Sequence, residues 1–248
     1  MFRAEYREAV REQLIDLARN DAAITAAAVV GSSASGGDRW SDLDLTFAVA
    51  DGHMLQTVLA DWTSRVVAEF DAAMLLDVPF LSTIYRVFLF PGALQVDLSF
   101  TPAAEFGARG PRFQLIFGEA VERPWTPPPP PEHIFGQGVH HAVRAHICLE
   151  RGKFFQAEYW LHEVRNEALA LACSRLGLEV RHGGGFDHLP ASVHDAFAGS
   201  LAGNVTEAEL RRALAIATSG LLNEAAHFAT INKRIPPMLA EICQPASV

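Results

Sequence analysis

The sequence predicts an α+β domain with a mixed sheet, followed by an all-α helical-bundle domain. Three observations predict it. Helical and strand patterns alternate along the first half of the chain, five consecutive prolines at 127–131 break the composition, and the second half reads almost entirely as helix. Helices interleaved with strands indicate an α/β or α+β arrangement. Five prolines in a row cannot sit inside a helix or a central strand, so they are expected to form a short, stiff polyproline II stretch. On this reading residues 1–123 form the first domain, 124–132 a proline-rich linker and 133–248 the helical domain. The alternative is a surface loop within one domain.

Each element follows from its own pattern. Residues 3–20 carry Val10, Leu14, Ile15 and Leu17 at helical positions. "AAAVVG" (26–31) is a strand running into a glycine turn. "SDLDLTFAV" (41–49) alternates polar and apolar with period two, as a half-buried strand does. A helix is expected over 53–70. "AAMLLDVP", "IYRVFLF" and "LQVDLSF" are three further strands, the last two joined by "PGA" at 91–93, and "FQLIFG" (113–118) is a candidate fourth. Beyond the prolines, helices are expected over 135–150 and 153–176, separated by Gly152. The loop "RHGGGFDHLP" follows, read either as a substrate-contacting lid or as a plain connector. "TEAELRRALAIATSGLLNEAAHFAT" opens with a capping box, Thr206 with Glu209 three residues on, and continues as a long helix.

The composition sets bounds. The chain has 248 residues, half of them hydrophobic and a fifth charged, with a formal net charge of −9. An acidic chain with 2 lysines among its 20 basic residues offers no evident basic track, so no nucleic-acid partner is expected. A negative cleft suits a cationic small molecule somewhat better. The three cysteines, Cys148, Cys173 and Cys243, have no metal-ligand spacing; an odd set without a framework suggests reduced thiols and a cytoplasmic protein. The N-terminal stretch is charged throughout and lacks a signal-peptide core, and no run reaches the ~18 apolar residues of a membrane span. The sequence leaves open whether the protein is a monomer or a homodimer.

The informative stretch is "VVGSSASGGDRWSDLDLTFAV", residues 29–49. Side chains two apart on a strand share a face, so Asp42 and Asp44 project together while Leu43 and Leu45 face the core. Asp97, between Val96 and Leu98, repeats the arrangement and joins them if its strand pairs beside the first. One pair of carboxylates at 4 Å repels by roughly 4 kcal/mol at a protein-surface dielectric, and a divalent cation reverses that sign. Hard oxygen donors without His or Cys select Mg²⁺, which also shares its shell with phosphates. The Gly31 turn supplies backbone N–H groups for an anion, and Ser32 adds a hydroxyl. Gly31 and Gly36 have P-loop spacing, but Gly37 and Asp38 stand where Lys and Ser/Thr are required, which excludes a Walker site. Neither a Gly-Ser turn nor a D-x-D pair is specific alone; the conjunction is.

That conjunction resembles the signature of the polymerase-β-like nucleotidyltransferase superfamily. "GSSASGGDRWSDLDL" matches it closely, including Ser41 before the first Asp, over residues ~25–100. The second half, with "ERGKFFQAEYWLHEVRN" and "GGFDHLP", more loosely resembles the C-terminal domain of antibiotic nucleotidyltransferases of the kanamycin and lincosamide type. Many relatives carry an arginine soon after the Gly-Ser; Ala34, Ser35 and Gly36 stand there in this chain, and Arg39 is the candidate substitute.

The resemblance implies transfer of a nucleoside monophosphate, expected to be AMP from ATP, to a hydroxyl of a small molecule such as an aminoglycoside- or lincosamide-like compound. It implies two Mg²⁺ ions with the bound nucleotide, Asp42 and Asp44 on both metals, Asp97 on the metal that activates the acceptor, and Gly31, Ser32 and Ser41 around the phosphates. Glu150 is a second candidate base and Lys153 a candidate phosphate contact; the plain alternative for each is an exposed charge at a helix end. The competing functions are a protein-modifying or antitoxin-type nucleotidyltransferase and a non-catalytic nucleotide-sensing module. The histidines, including His140, His141 and His146, are expected to be surface or satisfied core residues. Phe154, Phe155, Tyr159 and Trp160 are expected to pack the helical core, and Glu158 and Glu163 to face water.

Overall fold

Alternation of apolar and polar residues along the strands builds a sheet with one greasy and one polar face. The computed structural model describes residues 1–35 and 37–240, so Gly36 and Cys243 lie outside the described residues. The chain divides into two units, Met1–Thr126 and Pro127–Val248. In the first, α1 (Ala4–Arg19) leads into β1 (Ile24–Val30), β2 (Leu43–Val49), α2 (Leu55–Phe70), β3 (Ala73–Phe80), β4 (Thr83–Phe90), β5 (Leu94–Pro102) and β6 (Phe113–Phe117). The strands form one sheet in the order β3-β4-β5-β2-β1-β6. The sheet is mixed: β2 and β5 run parallel while the remaining pairs are antiparallel.

The greasy face carries Leu43, Leu45 and Phe47 of β2 with Val96, Leu98 and Phe100 of β5, packed with Leu14 of α1 and with Leu59, Trp62 and Val66 of α2. Phe47, Trp62 and Phe100 form a triangle of rings with centroids 4.8–5.5 Å apart. Val10, Leu14 and Ile15 are buried as their spacing predicts, and Leu17 is partly buried against the same core. The opposite face holds alanines 26, 28 and 48 with Phe106 in a small satellite cluster.

The second unit is helical: α3 (Pro131–Glu150), α4 (Phe154–Leu176), α5 (Ala191–Ala198), α6 (Glu207–Ala225) and α7 (Ile235–Ala240). Its core draws on α3, α4 and α6, with residues of α5 and α7 and of the loops beside them. Gly138 lets α3 approach its neighbours, because a Cβ there would lie 2.7 Å from Leu221 and 3.3 Å from the Cβ of Glu167.

Several expectations are corrected. The helix α3 starts at Pro131, not 135, because proline is tolerated at the first helical position; Pro130 keeps polyproline II angles. The expected capping box does not form. Thr206 Oγ1 donates to Asn204, and Glu209 instead accepts from the Gly203 N–H and Arg212. The long helix expected from Thr206 onward, α6, ends at Ala225, and α5 and α7 have no counterpart in the sequence reading. Phe155 and Tyr159 are exposed rather than core, while Phe154 and Trp160 pack against the core as expected. Among the described residues no helix is long and apolar enough to cross a membrane.

Phe100→Ala removes one corner of the ring triangle. It should lower unfolding free energy by about 3–5 kcal/mol, measured by urea denaturation.

Candidate active site

The site sits on the polar face of the sheet, and the strand register assembles it. β2 and β5 are parallel neighbours with Asp44 opposite Asp97, Thr46 opposite Ser99 and Ala48 opposite Thr101. These pairs share a face, since Leu43, Leu45, Val96 and Leu98 occupy the other. Asp42 lies just before β2. The three carboxylates act on one another. The Asp44 carboxyl is pushed up to about 7, first by burial and then by the charges of Asp42 and Asp97. Asp97 is also raised, mainly by burial; a hydrogen bond from Gln95 Nε2 opposes the rise and the Asp42 charge adds to it.

The turn after β1 abuts this cluster. Gly31 has φ +66°, and a Cβ there would fall 2.1 Å from Asp44 Oδ2. Glycine is therefore required twice, for the left-handed backbone and for the close approach of the turn to the carboxylate. Ser32 opens a short 3₁₀ turn, Ser32–Ser35, and its carbonyl accepts the Gly37 N–H. Ser41 is engaged in its own loop: its Oγ accepts the Asp38 N–H at 2.9 Å. A residue that sequence reasoning missed straps this loop down. Arg7, on α1, donates from one guanidinium nitrogen to the carbonyls of both Asp38 and Ser41. No sequence signal marks it, because its partners are backbone atoms more than thirty residues away. Arg39, the candidate phosphate contact, lies over the ring of Trp40 at 4.0 Å.

The polar face continues from the carboxylates into a cavity of about 150 Å³. It begins at Val30, immediately before Gly31, and takes in Thr46, Tyr85 and Ser99 from the sheet and Arg109 and Arg112 from the β5–β6 connection.

Glu150 and Lys153 belong to the second unit. Glu150 ends α3, is exposed, and pairs with Arg211 at 2.9 Å. Lys153 is exposed at the start of α4. Within the second unit both are charges at helix ends. The "RHGGGFDHLP" loop is anchored at Gly185, where a Cβ would meet the Glu179 carbonyl, and also Cys173 Sγ at 2.9 Å, while Arg181, His182, Asp187 and His188 are exposed. It borders a cavity of about 370 Å³ lined by His162, Glu167 and His182 among others.

His141 departs from expectation. Its Nδ1 is buried without a hydrogen-bond partner, and its ring stacks on Trp160 at 5.3 Å. Its donor atom and those of Glu163 and Glu167 all lie within 4.8 Å of one another, the tightest such trio among the described residues. Burial, with the Glu163 charge adding, pushes Glu167 up to about 7. The oxygens of Asp42, Asp44 and Asp97 do not all lie within 4.8 Å of one another.

No family model matches the chain, and no curated protein does. Among solved structures, an aminoglycoside 6-adenyltransferase from Bacillus subtilis is similar at 13% identity and TM-score 0.43, over 94% of this chain and 95% of that one.

Asp44 supplies a test of the cluster. A carboxyl raised in the folded state holds its proton where the unfolded chain has lost it. It therefore costs nothing below its unfolded value of 3.8 and destabilises progressively as pH rises to about 7 and beyond. Asp44→Asn removes that cost. Without divalent ions at pH 8 it should melt roughly 5–10 °C above wild type, and the difference should vanish near pH 4, measured by scanning calorimetry.

Proposed function

We propose that the protein transfers a nucleoside monophosphate, AMP from ATP, to a hydroxyl of a small molecule and releases pyrophosphate. One observation carries this reading. Asp44 and Asp97 stand side by side in parallel register, coupled to Asp42, with the Gly31 turn pressed against Asp44. A domain gains nothing in stability from such an arrangement, since each carboxylate raises the cost of the others.

The donor set fits magnesium. Three carboxylates without imidazole or thiolate are hard oxygen ligands, the donor type that suits magnesium. Asp42, Asp44 and Asp97 would hold the metal. When bound, it would neutralise phosphate charge and lower the pKa of the acceptor hydroxyl.

The chain's own groups do the rest. Backbone N–H groups of the turn after Gly31 and the Ser32 hydroxyl are assigned to the β- and γ-phosphates. Ser41 and Arg7 hold the 38–41 loop, which fixes the approach of Asp42. Asp97 receives the proton of the acceptor hydroxyl. The acceptor oxygen bonds to the α-phosphorus as the bond to the bridging oxygen breaks, and pyrophosphate leaves with that electron pair. Positioning and charge neutralisation supply most of the acceleration in such transfers. An aminoglycoside- or lincosamide-like acceptor rests on the sequence resemblance alone.

The test is a panel of hydroxyl acceptors with ATP, GTP, CTP and UTP plus Mg²⁺, read by pyrophosphate release and product mass. A product heavier by one nucleotide is expected. Asp44→Asn and Asp97→Asn should each lower kcat roughly a thousandfold or more, about 4 kcal/mol of transition-state stabilisation. Full activity of Asp44→Asn would show that the chemistry lies elsewhere.

A further inference from the structure

The cavity beside the carboxylates has a cationic side that nucleotidyl transfer by three aspartates does not use. Arg109 lines it, yet its Nη2 is buried and has no hydrogen-bond partner. A buried guanidinium N–H left unpaired is costly, and the cost is recovered when an acceptor oxygen enters. The side chain is held in place from outside: its Cζ lies 5.7 Å from the centre of the Phe80 ring. Arg112 adds a second positive charge at the exposed rim.

Other groups in the cavity agree with an anionic occupant. Thr46 and Tyr85 contribute hydroxyls that have no protein hydrogen-bond partner among the described residues. Ser99 adds a third, 3.5 Å from the Leu45 carbonyl and so barely committed. Thr83 and Thr101 satisfy each other at 2.8 Å. The one acid in the lining, Glu105, accepts from Ser82 and Arg123, and its charge also acts on Arg109 without a hydrogen bond to it. Burial raises the Tyr85 hydroxyl, with Arg109 opposing the rise and Asp44 adding to it, so the cationic side and the carboxylate side lie within electrostatic reach of one hydroxyl.

We infer that Arg109, with Tyr85 and Thr46, forms an oxyanion seat that takes a phosphate group directly beside the aspartate cluster. Val30, next to the Gly31 turn, lines the seat, so a polyphosphate lying along that turn can place one group in it. The same chemistry would also seat a phosphate borne by the acceptor. In that case the acceptor is an anion, contrary to the cationic compound that the net charge favours. This inference rests on the proposed function for the identity of the phosphate, but not for the existence of the seat.

Inorganic pyrophosphate is the direct probe, titrated calorimetrically into the full chain without metal. Wild type should bind it. Arg109→Gln, which removes the charge while keeping a comparable side chain, should weaken binding by about tenfold or more. Arg109→Lys should recover part of the loss, and unchanged melting temperatures should show that both variants fold. No binding to wild type, or equal binding to wild type and Arg109→Gln, overturns the seat. A fluorescent non-hydrolysable ATP analogue then separates the sources. Displacement by pyrophosphate assigns the seat to the nucleotide, and simultaneous binding assigns it to the acceptor. The two readings fail separately. Pyrophosphate bound through Arg109 with no product from any acceptor leaves the seat and removes the transfer reaction. Product formation unaffected by Arg109→Gln, with pyrophosphate binding also unaffected, does the reverse.

Discussion

Repulsion among carboxylates on one face of a sheet is the constraint around which the first unit is built. Burial first, and then the charges of Asp42 and Asp97, raise the Asp44 carboxyl to about 7. The fold accepts that cost at a place where it also supplies a close glycine turn. The register makes the arrangement all-or-none. A slip of one residue between β2 and β5 would turn Asp44 toward Leu59 and Trp62 and bring Leu45 to the polar face. The aromatic triangle on the greasy face therefore also positions the acids, by making the slipped register far more costly.

The two faces of the sheet divide the work. One is dense with Phe, Leu and Trp and contributes the stability of the unit. The other carries alanines 26, 28 and 48 with Thr46, Ser99 and the aspartates, which leaves room for a cavity instead of a second apolar layer. Small residues there are as informative as the charged ones, because bulky side chains at 26, 28 and 48 would crowd that face. Arg7 and Arg109 frame this surface from the helix side and from the β5–β6 connection. The first ties backbone carbonyls, and the second keeps a nitrogen unpaired.

Much of this was legible in the sequence because it depends on short-range periodicity. Period-two alternation in "SDLDLTFAV" and "LQVDLSF" gave the facing of Asp42, Asp44 and Asp97, and parallel pairing of the two strands then needed only to be observed. Gly31 was legible as a turn; its contact with Asp44 was not, since that depends on a distance between separate elements. Arg7 and Arg109 left no trace, because an arginine serving backbone carbonyls or an empty cavity looks like any surface arginine. The capping box at Thr206 was read from spacing, but Glu209 found stronger donors in Arg212 and Gly203. His141 was read as ordinary because its partners Glu163 and Glu167 lie on the next helix, outside any local ligand frame.

The central claim is that the aspartate cluster holds divalent cations. The most direct measurement is Mn²⁺ binding to the full chain, followed by the loss of the free-ion electron paramagnetic resonance signal, in wild type and Asp44→Asn. His141→Ala serves as a second background to discount the helical unit. Binding that is lost with Asp44→Asn and kept with His141→Ala is the predicted result. Binding that survives Asp44→Asn undiminished would contradict the account.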